Sequence, residues 1–210
     1  NACFIYYLRA PAIIITIATS NIYYSLLVFF SGGRWIYNFP WWFRDFAQLK
    51  VFQVTIKETT AGLSVLTFIW IVITVIAFFI LQYTTLGRKI YAVGSNPEAA
   101  RRVGIGIFPV QCFVYSFMGA LAGLASVVQA LLAQTVAPNA MMGRELDVIA
   151  AVVLGGASLS GGKGTIVGAL LGVALIAIMG NGLTLMRVSS YWQKVAIGVI
   201  IIASVSVEAY

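Results

Sequence analysis

The 210-residue chain is 61% hydrophobic and only 9% charged, and its mean hydropathy is +0.97. These values exclude an ordinary soluble domain, in which about a quarter of the residues are charged. The formal net charge is +7, with no histidine and two cysteines, Cys3 and Cys112, both in or beside apolar runs. We therefore expect an integral membrane protein without a disulfide framework.

Five runs are long and apolar enough to cross a membrane as helices, which takes about 20 residues each. In chain order they are Pro11 to Phe30, Ala61 to Tyr83, Phe108 to Thr135, Thr165 to Leu185 and Tyr191 to Val207. A sixth run, Val148 to Leu159, is short, which predicts a half-helix, a thin tilted span or a re-entrant segment. The runs lack the period-two alternation of membrane strands, so the predicted fold class is all-α, a polytopic helical membrane bundle.

The chain begins at Asn1 without a signal sequence, and we expect it to be the C-terminal half or more of a longer protein. Residues 1–210 are predicted to form a single transmembrane domain. Residues 84–107 form a loop within it, which carries four cations, Arg88, Lys89, Arg101 and Arg102, against one acid, Glu98. Because short cytoplasmic loops concentrate lysine and arginine, this loop is predicted to be cytoplasmic.

With that loop inside, Arg9 also lies inside and the segment Ser31 to Glu58 lies outside. The outer segment holds Arg34, Arg44, Lys50 and Lys57, partly offset by Asp45 and Glu58, and a loop of this length can depart from the charge rule. Its aromatic residues predict a lid at headgroup level: Trp35, Tyr37, Phe39, Trp41, Trp42 and Phe43.

The orientation of the last third depends on the short run. If Val148 to Leu159 crosses, Gly161 to Gly164 with Lys163 is cytoplasmic, Arg187 to Lys194 is outside, and the C-terminus is inside. If it re-enters, these assignments invert. We favour crossing.

Within the central loop, residues 96–104 predict a short helix of about 10 Å. Asn96 suits the N-cap, Pro97 the first position and Glu98 the positive helix end. Ala99 and Ala100 extend the helix, Arg101 and Arg102 suit its last turn, and Gly104 can end it, with Gly94 and Gly104 flanking it. On composition alone, an interfacial helix whose arginines contact lipid phosphate is the simpler interpretation.

Glycines in the apolar runs predict close helix packing. Gly119 with Gly123, and Gly164, Gly168 and Gly172, form small-xxx-small steps. The run around Lys163 does not fit a nucleotide-binding loop, since Ala157 stands where glycine is required and Gly164 follows the lysine. These glycines predict a sharp turn after the short helix instead.

Amides in the apolar runs are candidates for a solute path, because each is costly unless it faces protein or water. They are Asn21, Gln111, Gln129, Gln134 and Asn181. Hydrogen bonding between helices is the simpler interpretation for any one of them. On the outer side, Asn139, Arg144, Glu145 and Asp147 suit a contact with an external protein, the rim of a pore entrance, or a solvated loop with a local ion pair.

Catalytic residues, a metal site and a cofactor site are not expected. The cysteines lack metal spacing, and Glu145 and Asp147 stand two apart, so on a helix they do not share a face. The energy for any transport must come from another subunit.

The segment GRKIYAVGSNPEAARRVGI resembles the cytoplasmic coupling segment of bacterial ABC-importer permeases of the ribose and monosaccharide type. The stretches ELDVIAAVVLGGASLSGGKGTIVGALLG and NGLTLMRV, then Gln193 and Ile197-Gly198, are similar to that family in order and spacing. Upstream, Pro11 and Gly32-Gly33 also fit.

The resemblance implies a multi-pass permease of the bacterial inner membrane with a short coupling helix. The expected partners are an ATP-binding cassette ATPase subunit, a second permease, identical or different, an external solute-binding protein, a small solute and membrane lipid, and not nucleic acid. It implies ATPase contacts at Gly94, Asn96, Pro97, Ala99, Ala100, Gly104 and Ile105, with charge attraction from Arg88, Arg101 and Arg102.

The resemblance favours a monosaccharide such as ribose as solute, with autoinducer-2 or another polyol-like solute second. Four of the five amides named above are predicted to line the solute path, namely Asn21, Gln129, Gln134 and Asn181. An ion-coupled carrier is a further alternative, but it would normally need an intramembrane carboxylate, and the long runs hold none. A channel or membrane scaffold is the third alternative, and it would not need a capped cytoplasmic helix.

Overall fold

The computed structural model describes residues 1–8, 10–37, 39–56 and 59–208. Arg9, Lys57 and Glu58, which entered the predicted topology, lie outside the described residues. The elements in chain order are α1 Ala2–Leu8, α2 Ala12–Ser31, α3 Trp41–Gln48, β1 Lys50–Ile56, β2 Thr59–Ser64, α4 Val65–Tyr83, α5 Thr85–Ser95, α6 Pro97–Arg102, α7 Ile107–Ala133, α8 Arg144–Leu154, α9 Ile166–Leu185 and α10 Ser190–Glu208.

The prediction of a helical, polytopic membrane protein is confirmed. Within the described residues, four helices have the length and hydropathy to cross a membrane, namely α2, α4, α7 and α9. Their side chains are largely exposed, as expected for surfaces that face lipid or other helices. The fifth predicted run, Tyr191 to Val207, lies on α10, which is helical but is not among these four.

The short run coincides only in part with a helix, because α8 begins at Arg144, before the run. α8 has 11 residues and ends at Leu154, whereas the apolar run continues to Leu159. At 1.5 Å per residue the helix measures about 16 Å, roughly half of the 30 Å hydrocarbon core. α8 is therefore shorter than the hydrocarbon core, in keeping with the half-helix interpretation.

The chain divides into two compact units, residues 1–79 with 106–140, and residues 80–105 with 141–210. The single transmembrane domain stays a prediction. In the first unit, α1 packs on α2 and α7, and α3 packs on α7. The aromatic residues near α3 contact one another, with the Phe39 and Phe43 rings stacked at 4.8 Å and those of Trp35 and Tyr37 6.0 Å apart.

An antiparallel hairpin in the first unit was not predicted. β1 pairs with β2 from Lys50 opposite Ser64 to Ile56 opposite Thr59. The predicted span beginning at Ala61 is thus wrong at its start, because residues 61–64 belong to β2 and the helix begins at Val65. A second pairing joins Ile36 and Val136, whose backbones exchange two hydrogen bonds of 3.0 Å.

In the second unit, α8 packs against α9, and α10 packs against both. α8 holds Ala150, Ala151 and Val153, which are 1%, 3% and 7% exposed. It ends in a Schellman motif, in which Gly156, at φ 82°, donates to the Val153 carbonyl and Ala157 donates to that of Val152. α9 begins where the Thr165 hydroxyl accepts from the Gly168 N–H at 3.0 Å.

Candidate functional site

The segment of residues 84–107, predicted to be cytoplasmic, begins with a tight corner between α4 and α5. The Thr84 hydroxyl donates to the Ile80 carbonyl at 2.6 Å and accepts from the Gly87 N–H at 3.2 Å, so it closes α4 and caps α5. Gly87 is buried, and a Cβ there would meet the carbonyl oxygens of Leu81 and Ile80. The corner therefore requires glycine, and this role of Gly87 was not predicted.

The segment is two helices rather than a loop with one short helix. α5 runs through Gly94 to Ser95, and α6 follows at Pro97 after a single intervening residue. The prediction of a loop up to Asn96 was wrong, because glycine lowers helix propensity by about 1 kcal/mol but does not prevent a helix that tertiary contacts support.

Both ends of α6 are fixed by local hydrogen bonds. The Asn96 side chain accepts from the Ala99 N–H at 3.0 Å, and Pro97 takes the first position, as the sequence predicts. At the other end Gly104, at φ 82°, donates to the Arg101 carbonyl at 3.1 Å, and Ile105 donates to that of Ala100 at 3.0 Å. These two bonds form a Schellman motif, so a helix of six residues is capped at both ends.

The C-terminal end of α5 contacts the turn of residues 155–164, which joins α8 to α9. A Cβ on Gly94 would lie 2.9 Å from the Gly162 nitrogen, and a Cβ on Gly161 would lie 2.5 Å from the Gly94 carbonyl oxygen. A Cβ on Gly162 would lie 2.5 Å from that of Ser95. We name this backbone-to-backbone approach of 94–95 and 161–162 the glycine contact.

A side chain of α5 reinforces the glycine contact. The Tyr91 hydroxyl donates to the Gly164 carbonyl at 2.8 Å. Gly94 and Ser95 follow Tyr91 by three and four positions, so all three residues occupy one face of α5. This face is directed at the turn, and Arg88 and Lys89 of the same helix are exposed.

The turn itself has a defined geometry. Ser158 donates its backbone N–H to the Lys163 carbonyl at 3.0 Å, and Gly161 donates to the Ser158 carbonyl at 3.2 Å. Gly161 and Gly162 have φ of 91° and 74°, values that L side chains rarely adopt. Lys163 is exposed, so the turn presents one cation beside α5.

α6 presents a mixed polar and apolar surface. Pro97, Glu98, Ala99, Arg101 and Arg102 are exposed, and Ala100 is only 3% exposed. Val103, 74% exposed, adds an apolar side chain to this surface, and the sequence analysis did not select it. Ala100 is therefore packed within the second unit, whereas Ala99 and Val103 are accessible to another molecule.

The predicted ATPase-coupling residues lie together in the second unit, on α5, α6 and the residues that follow. They are Arg88, Gly94, Asn96, Pro97, Ala99, Ala100, Arg101, Arg102, Gly104 and Ile105. The structure gives Asn96 and Gly104 capping roles, and it places Gly94 against the turn. Their coupling role stays a prediction.

The solute-path candidates lie on or at the end of three different helices, α2, α7 and α9. Asn21 and Gln129 are exposed on α2 and α7, and Asn181 is exposed on α9. Gln134, at φ 53°, ends α7, and its amide donates to the Leu131 carbonyl at 2.8 Å, which is a capping role. Gln111 on α7 has a buried Oε1 without a hydrogen-bond partner among the described residues.

The packing glycines divide into two groups. A Cβ on Gly168 would meet the Gly155 carbonyl oxygen, and one on Gly172 would meet that of Ala151, so both lie against α8. Gly164 is not on α9, contrary to the prediction, because Thr165 caps the helix and Gly164 lies before it at φ 152°. For Gly119 and Gly123 no described atom beyond their own helix backbone lies within 4 Å of a Cβ position.

Glu145 and Asp147 lie at the start of α8, where they occupy the first turn and favour the positive helix end. Among the described residues no group of three histidine, cysteine or acidic residues is placed to bind a metal ion. The second unit thus combines an exposed surface on α6 with a backbone contact between α5 and the 155–164 turn.

The chain matches the family described as "Branched-chain amino acid transport system / permease component" over residues 1–205. The chain belongs to this permease family. The permease is a multi-pass protein of the bacterial inner membrane. The predicted family membership is thereby confirmed.

Two kinds of curated relative are similar to the permease. The ribose import permease protein RbsC of Escherichia coli K12 is 45% identical over 148 residues, 70% of this chain and 46% of the relative. The autoinducer 2 import system permease protein LsrC is 32% identical over 202 residues in Yersinia pseudotuberculosis IP 31758 and 34% over 204 residues in Yersinia enterocolitica 8081, covering 96% of this chain and 55% and 54% of those relatives. The chain thus spans about half the length of these relatives. No solved structure matches it.

Proposed function

We propose that the permease is the membrane-spanning subunit of an ATP-driven importer that moves a small sugar, a ribose-like monosaccharide, across the inner membrane. ATP hydrolysis takes place in a separate ATP-binding cassette subunit, and an external protein delivers the solute. A second permease, identical or different, completes the membrane pathway.

The observation that carries this proposal is α6, a six-residue helix capped at both ends and exposed on a basic segment. Rigid capping lowers the entropy lost when such a helix enters a socket on another protein. Ala99 and Val103 supply small apolar contacts, and Arg101 and Arg102 supply charge for an acidic rim. Lipid phosphate alone would not require a helix fixed so firmly at both ends.

The choice of solute follows from the relatives. The ribose permease has the higher identity, whereas the autoinducer-2 permeases align over nearly the whole chain. We therefore place ribose first and autoinducer-2 second. An ion-coupled carrier is less well supported, because α2, α4, α7 and α9 contain no aspartate or glutamate.

The coupling assignment is tested by crosslinking. Single cysteines replace Ala99 and Val103, in a background with Cys3→Ser and Cys112→Ser, and Asn139→Cys provides the control on the opposite side of the membrane. We expect crosslinks to the copurified ATPase from the first two positions, with yields that change with nucleotide. Labelling of both cysteines from the cytoplasm without any crosslink would reject the coupling role.

The solute is tested by uptake into proteoliposomes that contain the complete complex and its binding protein. Radiolabelled ribose and autoinducer-2 are compared with and without ATP. ATP-dependent uptake of ribose supports the first choice, and uptake of autoinducer-2 alone supports the second. Uptake driven by an ion gradient without ATP would contradict both.

A further inference from the structure

The glycine contact connects α5 to the turn between α8 and α9 mainly through backbone atoms, since three of its four residues are glycines. Gly94 and Ser95 belong to α5, and Gly161 and Gly162 belong to the turn that leads from α8 into α9. A displacement of α6 moves α5, since one residue joins them, and α5 cannot move toward the turn without pushing on its backbone.

Movement away from the turn is opposed by Tyr91. Its hydroxyl bond to the Gly164 carbonyl is 2.8 Å long, and it joins residues 73 positions apart. Gly164 directly precedes Thr165, whose side chain caps α9. A pull on Tyr91 therefore acts on the first turn of α9.

The far side of the turn is equally well fixed. Gly155 at the end of α8 lies against Gly168, and Ala151 lies against Gly172, so the two helices meet backbone to backbone. Contacts of this kind resist sliding, since closely packed groups have few alternative arrangements. The turn, α8 and the first half of α9 should therefore respond as one body.

We propose that Tyr91 and the glycine contact form the element that transmits displacement of α6 to α8 and α9, and that Tyr91 is a positioning residue for transport. This inference rests on the proposed coupling function. In this role, motion of α5 toward the 155–164 turn displaces the turn through backbone contact. Motion of α5 away from the turn displaces it through the Tyr91 hydroxyl bond.

The test uses Ser160→Cys as a reporter on the exposed part of the turn, in the complete complex lacking Cys3 and Cys112. The rate of maleimide labelling is measured with and without a non-hydrolysable ATP analogue. Tyr91→Phe removes only the hydroxyl, and Tyr191→Phe, at a side chain that is 84% exposed, is the matched control. Ala99→Cys crosslinking is measured in parallel to show that the ATPase remains docked.

We expect the nucleotide to change the labelling rate in the unaltered protein and in Tyr191→Phe. In Tyr91→Phe that change should fall about fivefold, the shift in equilibrium expected from loss of one neutral hydrogen bond. Uptake per ATP hydrolysed should fall with it, whereas copurification and Ala99→Cys crosslinking persist. A role in folding alone would lower the amount of complex and leave that ratio unchanged.

Gly94→Ala provides a second, independent variant, because its Cβ would lie 2.9 Å from the Gly162 nitrogen. Gly180→Ala, on α9 with no described atom beyond its own helix backbone within 4 Å, is the control. An undiminished nucleotide response in both Tyr91→Phe and Gly94→Ala, or a reporter insensitive to nucleotide while the crosslinks form, would overturn the inference. Absence of the crosslinks themselves would instead overturn the proposed function.

Discussion

Gly168 on α9 and Gly155 at the end of α8 lie so close that a Cβ on either would meet the carbonyl oxygen of the other. Gly172 repeats the relationship one turn later, against Ala151. The two helices therefore approach at a distance that only small residues allow. The short α8 packs against α10 as well, but its approach to α9 is the one made backbone to backbone.

We predict that Gly168→Leu weakens the folded protein much more than Val167→Leu. Gly168 faces α8, so a leucine there overpacks the contact and lowers the free energy of unfolding by about 3 kcal/mol or more. Val167 is 53% exposed, so its replacement by leucine does not overpack that contact. The yield of monodisperse protein and its melting temperature in detergent measure the difference. Equal values for the two variants would show that the helices do not need close approach.

Loss of the Asn96 cap should destabilise α6 locally. Asn96→Ala removes the acceptor for the Ala99 N–H, which costs about 1 kcal/mol. We expect trypsin to cleave after Arg101 or Arg102 about fivefold faster in membranes, since local opening exposes the bond. Asn96→Asp keeps the acceptor and should cleave at the original rate. Faster cleavage in both variants would point to a cause other than the cap.

Two neighbouring alanines should separate docking from folding. Ala99 is exposed and Ala100 is 3% exposed, so aspartate at 99 meets the partner and aspartate at 100 is buried in the second unit. Ala99→Asp should therefore reduce copurification of the ATPase at unchanged yield of permease. Ala100→Asp should lower the free energy of unfolding by about 2 kcal/mol or more. The yield of permease should therefore fall. The reverse pattern would mean that α6 docks through its other face.

The glycine contact also predicts membrane topology. Because residues 161–162 touch 94–95, both segments must lie on one side of the membrane. This favours the crossing alternative for Val148 to Leu159. Membrane-impermeant maleimide should label Ser160→Cys from the same side as Ala99→Cys and should label Asn139→Cys from the opposite side. Labelling of Ser160→Cys together with Asn139→Cys would establish re-entry.

Those features that depend on neighbouring residues could be predicted from the sequence. The α6 cap follows from Asn96 and Pro97, whose effects reach only a few positions, and α2, α7 and α9 follow from the length of their apolar runs. The surplus of cations between α4 and α7 predicts a cytoplasmic segment, and this assignment stays a prediction.

Features that depend on distant contacts could not be predicted. Gly87 and Gly94 lie in the segment that was predicted to be a loop, and their roles depend on the contacts that they make with Leu81 and Gly162. The bond from Tyr91 to Gly164 spans 73 positions and leaves no local pattern. Gly164 was assigned to a helix by its spacing, but the cap at Thr165 begins the helix after it. Val103 was passed over because an isolated valine in a charged segment carries no signal.

The meeting of α5 with the turn through bare backbone limits how that junction can respond to force. A long side chain can stretch or change rotamer to follow a retreating neighbour, but Gly94 and Gly162 have none. A gap of about 1 Å already forfeits a quarter to a half of the dispersion attraction between the facing atoms. Apart from the Tyr91 hydroxyl bond, the attraction across this junction therefore falls steeply over a separation of about 1 Å.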